Sequence, residues 1–326
     1  MRFWFARNSG ALFALILFIA MFSVYVVENG VGLRIGLVTA VANKGVLLAL
    51  VAMAQTLPVL TSGLDLSVGM IFVLTNCIAS NVLNGPPWLI TAGIVAVLLS
   101  GVACGAINGV LVVYGRLQPI IATLATGAVY QGFALMIRPV PGGSVEPTFA
   151  SMGTTQIFGV IPTTLVILLA VALVVWVPFR SSTTGRGCYA VGSSESAAYM
   201  TGIAVGRSRL AAYTLAGLLA AIGGLLLTAM TLTGDASATS GAVYTLNSIA
   251  AVVIGGTSLM GGVGGAVGSI FGAFVLRAVS DLLFVFDIQP LVQPLIQGLI
   301  LLGAVSLGAM RVLRAPNRLE FLGVGR

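Results

Sequence analysis

Apolar runs long enough to cross a bilayer follow one another along nearly the whole chain, and that property decides what it can fold into. Residues 165–177 and 295–310, for example, contain no charged side chain at all. Only 7% of the 326 residues are charged and 58% are hydrophobic, whereas a soluble domain carries about 25% charged residues. Such a chain cannot clothe a water-facing surface, so its solvent is a bilayer. There, every backbone polar group must be satisfied internally, by helices or by a closed barrel. Barrel strands alternate apolar and polar residues, and these runs do not. The expectation is an all-α polytopic membrane protein, with 1–326 as a single transmembrane domain.

A span needs about 20 apolar residues. Ten are expected, at 11–27, 40–61, 66–84, 89–113, 118–137, 160–178, 209–231, 244–259, 264–285 and 290–310, the second open to being broken and the eighth short. Arg2 and Arg7 before residues 11–27 give the start the look of a signal peptide. Its apolar run is long and no small-residue cleavage site follows, so it reads as a retained first span. With the N-terminus inside, eleven of the fifteen basic residues (Arg2, Arg7, Arg116, Arg180, Arg186, Arg207, Arg209, Arg311, Arg314, Arg318 and Arg326) fall on the cytoplasmic side. Arg34 and Arg138 stay outside, and Lys44 and Arg277 sit within spans. This positive-inside bias supports an even number of spans with both termini cytoplasmic. It also explains the net charge of +7 without nucleic acid as a partner.

Two interruptions matter. The outer segment 138–159 is rich in Pro and Gly and reads as an irregular cap. The longest polar stretch, RSSTTGRGCYAVGSSESAAYMTGIAVGRSR (180–209), carries Arg180, Arg186, Arg207 and Arg209 and is placed in the cytoplasm. At its centre Ser193 or Ser194 caps a helix with Glu195 in its first turn, a favourable charge at the positive helix end. Gly202 suits its stop. About two turns lying across the cytoplasmic face can dock in a cleft of a partner; the alternative is a tightly folded linker.

Reactive groups are scarce. There is no histidine, which removes the commonest general base and metal ligand. Cys77, Cys104 and Cys188 suggest no disulfide framework, and no metal or catalytic cluster is expected. No G-x-x-x-x-G-K-[ST] occurs, so any ATP must be hydrolysed on another polypeptide. Gly101, Gly105 and Gly109 in the fourth span, and Gly264, Gly268 and Gly272 in the ninth, each recur every four residues and place a small-residue face for close helix packing. Either these are unrelated packing helices, or spans 2–5 and 7–10 form an inverted repeat. Arg277 and Asp281, four apart, can pair.

Four blocks in order, GLDLSVG (63–69), GRLQPIIATLAT (115–126), GRGCYAVGSSESAAYMTGI (185–203) and LNSIAAVVIGGTSLMGGVGGAVGSIFGA (246–273), resemble the sugar permeases of ribose-type bacterial ABC importers. The resemblance spans about residues 40–310. It implies an inner-membrane permease subunit translocating a pentose, hexose or related polyol. Its partners would be a second permease subunit (the same chain or a paralogue), a cytoplasmic ATPase and a periplasmic sugar-binding protein. The chain itself would bind no cofactor, ATP and Mg being used by the ATPase. The block around 192–202 matches the family's ATPase-docking loop and assigns coupling to Gly192, Ser193, Ser194, Glu195, Ala197, Ala198, Tyr199 and Gly202. Family members often carry Asn and Arg where this chain has Ser193–Ser194 and Tyr199.

A neutral sugar offers hydroxyls and apolar ring faces, so amides, hydroxyls and aromatic rings are the candidates for its path: Gln55, Phe72, Asn76, Gln131, Asn247 and Gln293. Each has an alternative as glue between helices. Asp65 either lines the path or, with Ser67, caps the third helix. The rival function is a self-sufficient secondary transporter or channel for a small neutral solute. The scarcity of membrane-embedded ionisable groups stands against it.

Overall fold

The computed structural model describes residues 2–306 except 31, 290, 294, 301, 304 and 305. Its helices are α1 (Arg2–Glu28), α2 (Ile35–Leu60), α3 (Val68–Val82), α4 (Pro87–Val113), α5 (Pro119–Ile137), α6 (Pro147–Thr154), α7 (Thr163–Val171), α8 (Val177–Ser181), α9 (Thr183–Ser193), α10 (Glu195–Met200), α11 (Val205–Thr231), α12 (Ala238–Ile254) and α13 (Ala266–Val285). Seven helical segments among the described residues are long and apolar enough to cross a membrane: Ser9–Glu28, Ile35–Leu60, Pro87–Val113, Pro119–Ile137, Thr163–Ser181, Val205–Thr231 and Ala266–Val285. Of the expected tenth span, 291–293, 295–300, 302, 303 and 306 are described and 295–300 are helical; Arg311, Arg314, Arg318 and Arg326 lie outside the described residues.

α2 is the axis of the molecule. Every residue from Gly45 to Leu60 is buried, as an all-round apolar helix requires. It does not break. Pro58 falls in its last turn, where its missing N–H costs one bond and the helix is about to end anyway. α11 packs on α2, α3 and α4, while α2 packs on α11, α12 and α13. Exchanging α2 with α11, α3 with α12 and α4 with α13 reproduces this pattern.

α3 and α12 differ from the long spans. They have 15 and 17 residues, about 22 and 26 Å at 1.5 Å per residue, short of the ~30 Å hydrocarbon layer. Neither is long enough as a helix to cross it alone. This corrects the eighth span, expected at 244–259: α12 stops at Ile254, and residues 255–265 form a glycine loop before α13.

The glycines allow the closest helix approaches. A Cβ on Gly101 or Gly105 would strike the backbone carbonyls of Gly217 or Tyr213 on α11, and one on Gly109 would meet Leu210. Gly268 and Gly272 instead face Gly255 and Ala251 at the end of α12, so the two sets serve different helix pairs. Gly264 is not on a helix at all. It has φ +120° in the loop, as its neighbours Gly261 and Gly262 have +84° and +72°, backbone that L side chains rarely adopt.

The segment 138–159 is more ordered than an irregular cap. It contains α6 and the first arm of a small antiparallel hairpin, Gln156–Ile157 (β1) with Ile161–Pro162 (β2). The sixth span runs through α7, a π-helical stretch at Ala172–Trp176 and α8. The wide turn precedes Pro178, which has no N–H to continue the ladder. Arg277 and Asp281 pair at 2.7 Å, and Lys44 approaches the same carboxylate at 4.0 Å.

Candidate coupling site and transport path

Residues 182–202 fold into two consecutive helices. Ser182 starts α9 by accepting a bond from the Gly185 amide at 3.0 Å. Ser194 then caps α10, accepting from the Ala197 amide at 3.3 Å. Ser193 is not the cap: it is the last residue of α9. Glu195 sits in the first turn of α10 and forms a two-pronged pair with Arg209 of α11, at 2.8 and 2.7 Å. Gly202 ends the module with φ +79°. On α10 the side chains divide sharply. Ala198 is 4% exposed, whereas Tyr199 and Met200 are 75% and 86% exposed. Glu195, Ser196 and Ala197 are also exposed. Beside Glu195 and Arg209 lies a cavity of about 550 Å³ that also takes in Ser62, Arg116 and Gln118.

α9 is the anchor. Gly192 lies so close to the end of α2 that a Cβ would collide with the Leu60 carbonyl and with the Gly262 amide. The same carbonyl accepts from the Gly262 amide at 3.1 Å. Ser62 lies at the centre, its hydroxyl 2.7 Å from the Met260 carbonyl and 3.2 Å from that of Gly192. It holds a φ of +61°, a conformation that costs an L residue roughly 1–2 kcal/mol and persists where surrounding bonds over-determine it. Three segments far apart in sequence, the turn after α2, the end of α9 and the glycine loop 255–265, thus meet in one junction. Tyr189 reinforces it with a 2.9 Å bond to the Gly264 carbonyl. On the other side of α9, Cys188 is buried against α11, its thiol 3.2 Å from the Ser208 carbonyl; desolvation pushes that thiol up to about 12, so it is inert filling.

Residues 37–305 match the family model described as the permease component of the branched-chain amino acid transport system. The chain belongs to this permease family. The ribose import permease protein RbsC of Haemophilus influenzae is 36% identical over 264 residues, 79% of this chain and 80% of that protein. The autoinducer 2 import system permease protein LsrC of an Enterobacter species is 32% identical over 300 residues, 91% of this chain and 85% of that one. The D-allose transport system permease protein AlsC of Escherichia coli is 30% identical over 273 residues, 83% and 82% of the two. No solved structure matches. Its family and its apolar helices make the permease a multi-pass protein of the bacterial inner membrane.

The residues singled out for a path are scattered through the permease, and neither this cavity nor the larger one near α1 is lined by any of them. Asp65 is fully buried and satisfied: its Oδ1 accepts from the Ser67 amide at 2.9 Å and hydroxyl at 2.6 Å. Its Oδ2 accepts from Asn108 at 3.3 Å. The carboxylate therefore organises the turn before α3, two residues ahead of the cap position that Ser67 occupies. Asn108 joins the network to α5, donating to the Ser67 hydroxyl at 2.7 Å while accepting from Thr126 and Tyr130 at 2.7 and 3.1 Å. The same device recurs before α12, where Asp235 accepts from the Ser237 amide at 2.9 Å and hydroxyl at 3.3 Å.

Asn76 ties the second turn to α3. It accepts from the Asp235 amide at 3.0 Å and donates to Thr228 at 2.8 Å. Phe72, one helical turn away, packs against Tyr244 with ring centres 4.5 Å apart. Gln131 donates to the Ala236 carbonyl, and Gln293 donates weakly to Ile288 at 3.4 Å. Asn247 is partly buried on α12. Gln55 stands out: it is fully buried in the middle of α2, and neither amide atom has a partner among the described residues.

Asn108, Asp235 and Ser62 escaped the sequence reading. Asn108→Ala is expected to cost roughly 1–3 kcal/mol, because it strips partners from four buried polar groups at once. The measurement is a melting curve of the detergent-purified permease; an unchanged melting temperature would show that the network carries no stability.

Proposed function

We propose that this permease is the membrane subunit of an ATP-driven importer that carries a sugar (a pentose, hexose or related polyol) into the cytoplasm. The observation behind this reading is α10: a two-turn helix that turns Tyr199 and Met200 outward while its neighbour α9 is bolted to the ends of α2 and α12. Large exposed apolar side chains on a firmly held polar helix mark a docking surface. A cytoplasmic ATPase is its partner, consuming ATP and Mg. A second permease subunit and a periplasmic sugar-binding protein complete the assembly. Two of the relatives above are named for ribose and D-allose, which favours a sugar as cargo, with Gln55 and its unpaired amide as the first side chain to meet it.

In this reading both termini and residues 180–209 are cytoplasmic, ten spans cross the bilayer, and spans 2–5 and 7–10 form an inverted repeat. The exchangeable packing of α2 and α11 supports the repeat. So do the matching Asp-x-Ser turns before α3 and α12. Closure of the ATPases would move α10, and the junction at Leu60, Ser62, Gly192 and Gly262 would pass that movement to α2, α12 and α13. Transport then requires that nucleotide state and pathway state share a coupling free energy.

The test is reconstitution into liposomes. With its ATPase and binding protein, the permease should import labelled sugar only when ATP is supplied on the α10 side. Uptake by the permease alone, without ATP, would overturn the proposal in favour of a self-sufficient transporter.

A further inference from the structure

A second cavity, of about 930 Å³, opens where the beginning of α1 passes α8, α9 and the start of α13. Its walls are apolar: Leu12 and Leu15 from α1, Trp176 below α8, and Val267 and Phe271 from α13. Two cations, Arg180 and Arg186, line the same space. Neither belongs to an ion pair among the described residues, and no acidic described residue lines the cavity. Glycine backbone from the loop 255–265 forms another wall, and Gly10 of α1 touches it so closely that a Cβ there would press on Gly256.

Composition and position together define what fits. A soluble sugar phosphate or inorganic phosphate would match the arginines but leave the apolar walls wet. A neutral lipid would cover the walls but leave two cations without a counter-charge. An anionic phospholipid satisfies both, placing its phosphate between the guanidinium groups and its chains against the apolar sides of α1 and α13. Arginine suits this task because its planar fork binds phosphate oxygens two at a time. Val177 and Val267, which line the cavity on membrane-spanning helices, are half-exposed, so acyl chains can enter from the bilayer. Basic pockets between spans on the cytoplasmic side are a recurrent form of lipid headgroup site.

We propose that this cavity between α1, α8, α9 and α13 is a binding site for an anionic phospholipid of the cytoplasmic leaflet. The leaflet assignment rests on the orientation given under the proposed function; the site itself rests on the cavity's lining. A lipid seated there touches Gly262 and Gly264 of the coupling junction, so it would brace the loop through which α10 acts.

The experiment uses the full-length permease in nanodiscs of phosphatidylcholine and phosphatidylglycerol in equal amounts, released for native mass spectrometry of the retained lipid. Phosphatidylglycerol should be enriched over phosphatidylcholine. The enrichment should fall about fivefold for each of Arg180→Gln and Arg186→Gln, the scale of one basic residue at an anionic surface. Arg180→Lys with Arg186→Lys should keep most of it, and Arg207→Gln, a cytoplasmic arginine outside the cavity, should keep all of it. Equal retention of both lipids by the wild type, or identical enrichment in the glutamine variants, would overturn the site. Displacement of the lipid by millimolar inorganic phosphate would reassign it to a soluble anion. No ATPase, sugar or ATP enters this measurement, so its failure leaves the importer reading standing, and failure of ATP-driven uptake leaves the lipid result standing.

Discussion

A Gly192→Val variant is expected to lose uptake completely and to yield little intact permease. The position has no room for even one carbon, because a Cβ would run into the Leu60 carbonyl and the Gly262 amide. Both are backbone atoms already engaged with each other at 3.1 Å, so neither can step aside as a flexible side chain would. Moving α9 away would also pull the Gly192 carbonyl from Ser62, whose other bond holds Met260 at 2.7 Å. Overpacking of a tight site costs about 1–3 kcal/mol, and each hydrogen bond lost adds roughly 1 kcal/mol. The comparison that isolates the junction is Gly202→Ala. Gly202 needs its left-handed φ, but nothing lies within 4 Å of where its Cβ would be, so only the conformational cost of roughly 1–2 kcal/mol applies. Uptake of labelled sugar and size-exclusion profiles of solubilised membranes report both variants. Normal uptake by Gly192→Val would mean that α9 is not fixed to α2 and the glycine loop in the working protein.

How much of this was legible in the chain depends on whether the deciding contacts are local. α10 could be read because its cap, its first-turn acid and its terminal glycine lie within nine residues, Ser194–Gly202, and each acts on its own backbone. α9 could not. Its sequence, TTGRGCYAVGS, contains three glycines with poor helix propensity. It is helical because those small residues and Cys188 let it bury against α2 and α11, partners distant in sequence. Ala198 shows the same limit from the other side. It belongs to the matched docking block, yet it is buried, while Met200 next to Tyr199 is exposed and lies outside the residues to which the resemblance assigns coupling. A six-residue helix has no periodicity long enough to say which face looks outward.

The buried turns were half visible. Asp65 stands out in the sequence as an acid beside a span, but its partner Asn108 sits between Gly105 and Gly109 and looks like one more polar residue in a glycine-rich span. Asp-x-Ser at 65–67 and again at 235–237 was in plain view. It gains meaning only when the structure puts both turns at the starts of the two short helices.

Placing aspartate at both Tyr199 and Met200 is expected to abolish ATP-dependent uptake while leaving the permease folded. Both side chains are largely exposed, and surface substitutions away from buried features usually change stability by no more than about 0.5 kcal/mol. Against a partner, the balance reverses. Central aromatic anchors in an interface are worth about 2 kcal/mol or more when removed, and a carboxylate pressed into an apolar partner adds a desolvation cost. Together the two changes should weaken ATPase capture by roughly a thousandfold, taking each as about 2 kcal/mol. Glu195→Gln supplies the contrast. Its pair with Arg209 is partly solvated, with side chains 56% and 24% exposed, and such pairs contribute about 0–1 kcal/mol. That variant should melt and assemble nearly as the wild type does. Co-purification with the tagged ATPase measures association, and a melting curve checks the fold. If the double aspartate variant still captures its ATPase at wild-type strength, the outward face of α10 is not the docking surface. The cleft beside Glu195 and Arg209 would then be the next surface to test for a partner's grip.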